Sequence, residues 1–171
     1  MGCNNLLEQL EQVKQNPRNY LQLGDFGEAV AEVLLHDVLD HEVIADLATR
    51  DGPQGVDLIT YGPDGKITIA EVKSTGVEAP PHMRMNKDGT RQMDDHWTGD
   101  RARKAGLDAV ADDHVSVGEV GKLVVHVDLL ADQVTVRRVD GAGKVDHEAE
   151  LTFALEDLVR FADAIRADEA A

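Results

Sequence analysis

An acidic and a basic residue stand two positions apart in the stretch ITIAEVKST, residues 67–75, which otherwise has the composition of a buried strand. Because side chains alternate along a strand, Ile67, Ile69, Glu71 and Lys73 share one face. Two apolar residues followed by an acid and a base indicate a core face that opens into a site. The alternative is an exposed strand end that carries a weak surface ion pair.

The turn before this strand has the sequence YGPDGKI, residues 61–67. Pro63 and Asp64 suit the two central positions of a type I turn, and Gly65 suits the left-handed residue that follows. This chemistry predicts a three-residue hairpin loop in which Gly62 pairs with Lys66.

Counting back from that loop, Asp57 faces Glu71 on the same side of the sheet. A four-residue loop would instead put Asp57 opposite Ala70, on the other face. The turn therefore predicts two neighbouring carboxylates, with Lys73 one step further on. Because directly opposed like charges repel, their closeness indicates that a cation lies between them.

Four helical segments are predicted from apolar spacing and capping residues. The first, within residues 1–16, is capped by Asn4 or Asn5. The second runs from Phe26 to Leu39, with Asp25 as its N-cap and Glu28 closing a capping box. Residues 91–113 are predicted to be mostly helical, and residues 152–167 form the C-terminal helix.

Strands are predicted in EVIADLA, VDLITY, KITIAEVK, GKLVVHVDLL and QVTVRRV, the last two as a hairpin around residues 131–132. The element order predicts an α/β (α+β) domain with a mixed central sheet flanked by helices. At 171 residues, a single domain is expected over 1–171, with its core at 24–139.

The composition excludes several classes of protein. Hydrophobic residues make up 42% of the chain, which argues against disorder, although aromatic residues are only 4%. No apolar run is long enough to span a membrane, and no signal pattern opens the chain. Cys3 is the only cysteine, so neither an intramolecular disulfide nor a thiolate cluster is expected. A cytoplasmic location is the default expectation.

The charge is strongly acidic, with 33 acidic against 17 basic residues and a net charge of −16. A distributed, Asp-rich and Lys-poor composition resembles that of proteins from halophiles, whereas the alternative is an ordinary acidic protein. Such a charge argues against nucleic acid as a partner. At roughly 1 M salt the Debye length is only about 3 Å, which weakens that objection.

Asp57, the Glu71-x-Lys73 pair and a preceding helix that bears Glu28 together resemble the PD-(D/E)xK nuclease superfamily. This superfamily has a restriction-endonuclease-like core and includes archaeal Holliday-junction resolvases and toxin-type nucleases. The resemblance covers residues 24–104, and Val56 stands where a proline is often found. It implies a metal-dependent endonuclease that hydrolyses phosphodiester bonds in DNA or structured RNA.

The resemblance also assigns roles to individual residues. Asp57 and Glu71 would hold Mg²⁺ or Mn²⁺ with the backbone carbonyl of Val72, since Mg²⁺ prefers carboxylate and water ligands. Lys73 would position the attacking water or stabilise developing charge. Glu28 would add a further metal ligand. The alternatives are that Glu28 only closes the capping box, or that Glu32, one turn further along the helix, is the ligand instead.

A Gln-Met pair followed by Trp, here Gln92, Met93 and Trp97, resembles the start of the helix that follows the acid-x-Lys strand in the toxin-type nucleases. Gln92 would then lie at the edge of the active site. Met93 and Trp97 are better explained by core packing at helical spacing. The seven histidines show no metal-ligand spacing and are assigned to the surface or to packing, with His96 nearest the proposed site.

Residues 82–104 hold six basic and four acidic residues, a net charge of +2 in a chain of net −16. A locally positive segment beside such a site predicts phosphate contacts, although a residue of this kind taken singly is more often a solvated surface charge, here with Asp94, Asp95 and Asp100 as available partners. The predicted nucleic-acid-binding residues are Arg84, Lys87, Arg91, Arg101, Arg103 and Lys104.

Two other functions compete with the nuclease. The same fold could serve as a non-catalytic nucleic-acid- or protein-binding module, or the acid-x-Lys motif could be incidental in a structural acidic protein. The hairpin and the N-terminal helix leave room for a homodimer. If the chain is toxin-like, an inhibitor protein is a further expected partner.

Overall fold

The computed structural model of the chain describes residues 5–43, 58–81, 83, 85, 87, 89, 91–95, 98 and 121–171. This part is a mixture of helices and strands. Its helices are α1 (Leu6–Gln15), α2 (Tyr20–Val33, continued by a π-helical turn at Leu34–Val38) and α3 (Leu155–Ala170). Its strands are β1 (Glu42–Val43), β2 (Leu58–Tyr61), β3 (Ile67–Thr75), β4 (Gly121–Asp128), β5 (Gln133–Arg138) and β6 (Leu151–Ala154).

Helix α1 confirms the predicted cap. The side chain of Asn5 accepts a hydrogen bond from the backbone N–H of Glu8 at 2.8 Å, which satisfies one of the open donors of the first turn. Asp163 of α3 accepts from the N–H groups of Leu6 and Leu7 at 2.8 and 3.0 Å. The start of α1 is therefore fixed by a residue near the other end of the chain.

The predicted start of α2 is wrong. The helix begins at Tyr20, and Asn19 caps it by accepting from the N–H of Gln22 at 3.2 Å. Asp25 therefore lies inside the helix, and the capping box between Asp25 and Glu28 does not exist. Asn19 offers the same capping chemistry as Asp25, and Gly24 within the helix is tolerated.

The β2–β3 hairpin confirms the predicted turn and register. The N–H of Gly62 donates to the carbonyl of Lys66 at 2.8 Å, and Gly65 has a φ of 77°. Ladder pairs run from Tyr61–Ile67 back to Leu58–Ala70. Asp57, which the same register would place opposite Glu71, lies outside the described residues.

The six strands form one mixed sheet in the order β1-β2-β3-β4-β5-β6. Strands β3 and β4 are parallel, and every other described neighbour is antiparallel. The predicted β4–β5 hairpin is confirmed. Strand β6 was not predicted, because its four residues were divided between a loop and the C-terminal helix, which begins at Leu155 instead of residue 152.

The two faces of the sheet differ in what covers them. One face, with Leu58, Ala70, Val125 and Val136, packs against all three helices in a single apolar cluster. We call it the helix face. The opposite face carries Glu71 and Lys73, and we call it the site face. No helix in the described ranges is long and apolar enough to cross a lipid bilayer.

Candidate functional site

Glu71 lies at the centre of a polar cluster on the site face. It is 5% exposed although it stands in the middle of β3, between the buried residues of the strand's first half and the partly exposed ones of its end. The ammonium group of Lys73 contacts its Oε1 at 3.0 Å. The expected opening of an apolar face into a charged one is therefore present, and the surface-pair alternative does not describe a carboxylate so deeply buried.

Gln92 joins this pair from a distant part of the chain. Its Nε2 donates to Oε1 of Glu71 at 2.5 Å, and its own Oε1 accepts from Nζ of Lys73 at 3.2 Å. With an acceptor on one side and a donor on the other, the amide satisfies both contacts in only one orientation. The structure thus brings three of the predicted site residues, Glu71, Lys73 and Gln92, into a closed ring of hydrogen bonds.

The segment that carries Gln92 differs from its prediction. A helix was expected from residue 91, but Gln92 and Met93 form a turn, and helical backbone is first found at Asp95. Met93 has a φ of 69°, an uncommon conformation for a residue with a long side chain. It is fully buried, which confirms its predicted packing role but not its helical spacing. Trp97 and His96 lie outside the described residues.

Lys122, at the start of β4, clamps this turn to the sheet. Its ammonium donates to the carbonyl of Met93 at 2.9 Å, to Oδ1 of Asp95 at 2.7 Å and to the carbonyl of Asp140 at 2.9 Å. The side chain is 7% exposed, so three acceptors replace the water that it lost. Lys122 was not predicted, because its place beside the turn depends on parallel pairing with β3, which local sequence does not specify.

Gly143 supports the same turn from the other side. Its φ is 78°, and a Cβ at this position would lie 2.7 Å from the carbonyl oxygen of Gln92 and 3.0 Å from the amide nitrogen of Asp94. Only glycine fits such an approach without moving its neighbours. The residues 140–144 therefore form a second support for the position of Gln92.

The remaining predicted metal ligands are less well placed in the described structure. Glu28 lies on the exposed side of α2, next to Gly27, which approaches Val72 and Ser74 from the helix face. Val72 stands between Glu71 and Lys73 in β3, and Asp57 lies outside the described residues. Within the ranges that the structure describes, no three His, Cys, Asp or Glu residues are grouped to hold a metal ion.

The predicted nucleic-acid-binding residues are described only in part. Arg91 is partly buried beside Gln92, and Lys87 is exposed. Arg84, Arg101, Arg103 and Lys104 lie outside the described residues.

His126 adjoins the cluster on β4, where it is the register partner of Lys73. Its Nε2 lies 2.7 Å from Oγ1 of Thr75, and it is 5% exposed, as expected of a packing histidine. Burial holds the pKa of His126 below its usual value, the Arg137 guanidinium acts in the same direction, and Asp128 opposes them. Burial therefore favours the neutral form of His126, whose Nε2 shares a hydrogen bond with Thr75.

Searches of protein-family models, of curated proteins and of solved structures find no match to this chain.

Proposed function

We propose that this protein is a metal-dependent nuclease of the PD-(D/E)xK type, with Glu71, Lys73 and Gln92 in its active site. The observation that carries the proposal is the convergence of Lys73 and Gln92 on one oxygen of a buried carboxylate. An apolar residue at position 71 would avoid the desolvation cost of that carboxylate. A function for the charge explains why the strand bears it.

The arrangement of elements supports the proposal. Helix α2, which bears Glu28, precedes the β2–β3 hairpin in the chain. The acid-x-Lys motif lies on β3, the second strand of this hairpin, within a mixed sheet. The hairpin register, extended by one pair, would put Asp57 beside Glu71. This extension belongs to the proposal, because the described ladder ends at the pair Leu58–Ala70.

The donor set fits a hard divalent cation through its carboxylates. Glu71 provides one on the site face, and Asp57 and Glu28 are the further candidates. When bound, Mg²⁺ or Mn²⁺ would lower the pKa of a water molecule and polarise the phosphate. The high acidic charge fits an enzyme that works in concentrated salt, where repulsion of a polyanion is screened.

Lys73 and Gln92 have separate roles in this proposal. The side chain of Lys73 is 29% exposed, against 7% for that of Glu71, so it is the more accessible member of the pair. In this proposal its ammonium group contacts the substrate. It stabilises the negative charge that develops on the phosphoryl oxygens. Gln92 fixes the ammonium by accepting its hydrogen bond and fixes the carboxylate by donating to it. The carboxylate of Glu71 therefore keeps one orientation.

The non-catalytic binding module is the second candidate, and one observation favours it. Glu71, Lys73 and Gln92 bond to one another, so the ring would also be stable as a purely structural network. A cleavage assay of wild type and site variants distinguishes the two functions.

The test is cleavage of labelled DNA and RNA, single and double stranded, at 0.2 to 3 M KCl with Mg²⁺, Mn²⁺ or chelator. Wild type is compared with Glu71→Gln and Lys73→Met. Glu156→Gln is the control, because Glu156 forms an exposed pair with Arg160 on α3. We expect metal-dependent cleavage by wild type and the control that is lost in both site variants. A folded wild type that cuts nothing across these conditions would refute the nuclease and favour the binding module.

A further inference from the structure

A cleft lies beside the Glu71–Lys73–Gln92 cluster. It has a volume of about 620 Å³ and is lined by both hairpin strands β4 and β5, by residues 78–81 and by residues 144–147. Its wall includes Arg91, the neighbour of Gln92, and His126, the register partner of Lys73. The cleft therefore begins where the candidate active site ends, and its volume is that of a small-molecule site.

The charge of this cleft differs from that of the rest of the chain. Its lining contains three cationic side chains, those of Arg91, Arg137 and Lys144, and three carboxylates, whereas the whole chain has a net charge of −16. None of the three cations forms an ion pair with any residue that the structure describes. Among the described residues, therefore, no carboxylate neutralises them directly.

Two of the carboxylates in the lining are already engaged by backbone amides. Asp128 accepts from the N–H of Ala131 at 3.1 Å, and Asp146 accepts from the N–H of Glu148 at 3.2 Å. The third, Glu78, is exposed. Asp128 and Asp146 thus help to shape the turns of the cleft, and neither lies within 4 Å of a cationic side chain of the lining in the described structure.

Arg137 is held in place without being neutralised. Its Nη1 donates to the carbonyl oxygens of Asp146 and His147, which carry no net charge. Its Nε and the hydroxyl of Thr135 are buried and have no hydrogen-bond partner among the described residues. Buried polar atoms of this kind are few in folded proteins, and the two side chains that carry them line the polar floor of the cleft.

Part of the lining of the cleft is apolar. Ala79, Pro81 and Met83 contribute to its wall, and Met83 is 3% exposed. A bare phosphate would use the cations but not this wall. A nucleotide offers a phosphate to the cations, sugar hydroxyls or ring oxygens to the polar floor, and a flat base to the apolar side.

We propose that this cleft binds the nucleotide next to the scissile phosphate, with its phosphate on Arg91, Arg137 and Lys144. The inference rests on the proposed nuclease function and deepens it: the substrate is a polynucleotide strand that is held at two successive nucleotides. Arg137, Lys144 and His126 belong to the binding surface in addition to the residues predicted from the basic segment.

The test is binding of fluorescein-labelled DNA and RNA oligonucleotides in chelator, measured by anisotropy over a range of KCl. The cleft variant is Arg91→Gln/Lys144→Gln. The matched control is Lys66→Gln/Arg166→Gln, which removes two exposed cations outside the cleft and changes the net charge equally. The single variant Lys144→Gln, at an exposed position, is measured too, in case the double variant does not fold.

We expect the cleft variant to raise the Kd about tenfold or more and to reduce the slope of log Kd against log salt by about 2, one unit for each lost phosphate contact. The control changes the Kd less than about twofold. In cleavage assays, KM rises while kcat stays within about twofold, because the lost contacts stabilise the bound substrate and the transition state equally.

The two proposals fail separately. If wild type cleaves in a metal-dependent manner but the cleft variant and the control are indistinguishable in Kd and KM, the cleft proposal is wrong and the nuclease stands. If nothing is cleaved but the cleft variant alone weakens oligonucleotide binding, the nuclease is wrong and the cleft stands as a binding site. Absence of oligonucleotide binding by wild type at every salt concentration overturns the cleft proposal.

Discussion

The helix face and the site face of the same sheet differ in the kind of side chain that they bury. On the helix face, residues such as Ala70 and Val125 are fully buried against other apolar side chains. On the site face, Glu71 and Lys122 are buried almost as deeply, but each is surrounded by polar partners. Apolar burial contributes stability directly, whereas a buried charge first has to recover its desolvation cost.

The site face itself contains two kinds of buried charge, that of Lys122 and that of the Glu71–Lys73 pair. Lys122 is enclosed by three acceptors, two of them backbone carbonyls, which is the arrangement of a structural clamp. The pair of Glu71 and Lys73 ends in a partly exposed ammonium group. We therefore expect substitution of Lys122 to affect mainly stability, and substitution of Glu71 to affect mainly activity.

The largest expected effect is that of Glu71→Gln on cleavage. We expect kcat to fall by roughly a hundred- to a thousandfold, because a neutral amide binds a hard divalent cation far less well than a carboxylate does. The free energy of unfolding should change by about 1 kcal/mol or less, because Gln keeps the hydrogen bonds and Lys73 remains partly solvated. Initial rates and urea unfolding measure the two effects. Equal losses of stability and activity would mean that Glu71 is only structural.

Lys122→Met should reduce stability more than activity, the reverse of what we expect for Glu71→Gln. Removal of the ammonium leaves the carbonyls of Met93 and Asp140 without their donor, and we expect a loss of about 3 kcal/mol of unfolding free energy. The measurement is urea unfolding. Lys66→Met is the control, since Lys66 is exposed in a turn and should change stability by less than about 0.5 kcal/mol. A stability close to that of wild type would show that Lys122 does not clamp the turn.

Gly143→Ala tests how far the position of Gln92 matters. The substitution adds strain at a φ of 78° and forces the carbonyl of Gln92 to move, since the new Cβ would lie 2.7 Å from it. We expect a loss of about 1–2 kcal/mol in stability and a fall in kcat of roughly tenfold under conditions where the variant is fully folded.

Gly65→Ala is the matched control for this prediction. Gly65 has almost the same φ, 77°, but a Cβ there would meet nothing within 4 Å. It should therefore lose about 1 kcal/mol of stability from backbone strain alone and keep its kcat. If both variants keep full activity, the orientation of Gln92 has no catalytic importance.

The features that local chemistry specifies were predictable from the sequence. The turn residues Pro63, Asp64 and Gly65 determine the hairpin loop, and the loop determines the register that continues towards Asp57. Asn5 was predictable as the cap of α1 for the same reason, because cap and first turn are contiguous.

The features that depend on distant contacts were not predictable in this way. The parallel pairing of β3 with β4, which places Lys122 and His126 on the site face, joins segments far apart in the chain. Asp25 alone was predicted as the cap of α2, whereas Asn19, earlier in the chain and with the same capping chemistry, caps the helix in the structure. The proximity of Gln92 to Glu71 was predicted from a family resemblance, but the left-handed turn that carries it was not.

The smallest expected effect is a pH dependence shared by both faces. His41 on the helix face and His126 on the site face each lie 2.7 Å from a threonine hydroxyl. Burial lowers the pKa of both below 6.5, although nearby aspartates oppose it. The unfolded chain therefore binds more protons below pH 6.5, so the stability from neutral burial is complete above pH 6.5 and is lost as the pH falls towards the folded pKa values.

Urea unfolding between pH 5 and 8 tests this prediction in wild type, His41→Gln and His126→Gln, each of which should flatten the curve below pH 6.5. His36→Gln is the informative control. The hydrogen bond to Asp37 raises the pKa of His36, so this exposed histidine contributes slightly more stability at low pH, and its removal should steepen the decline instead. Equal slopes in all three variants would show that histidine burial does not govern acid stability on either face of the sheet.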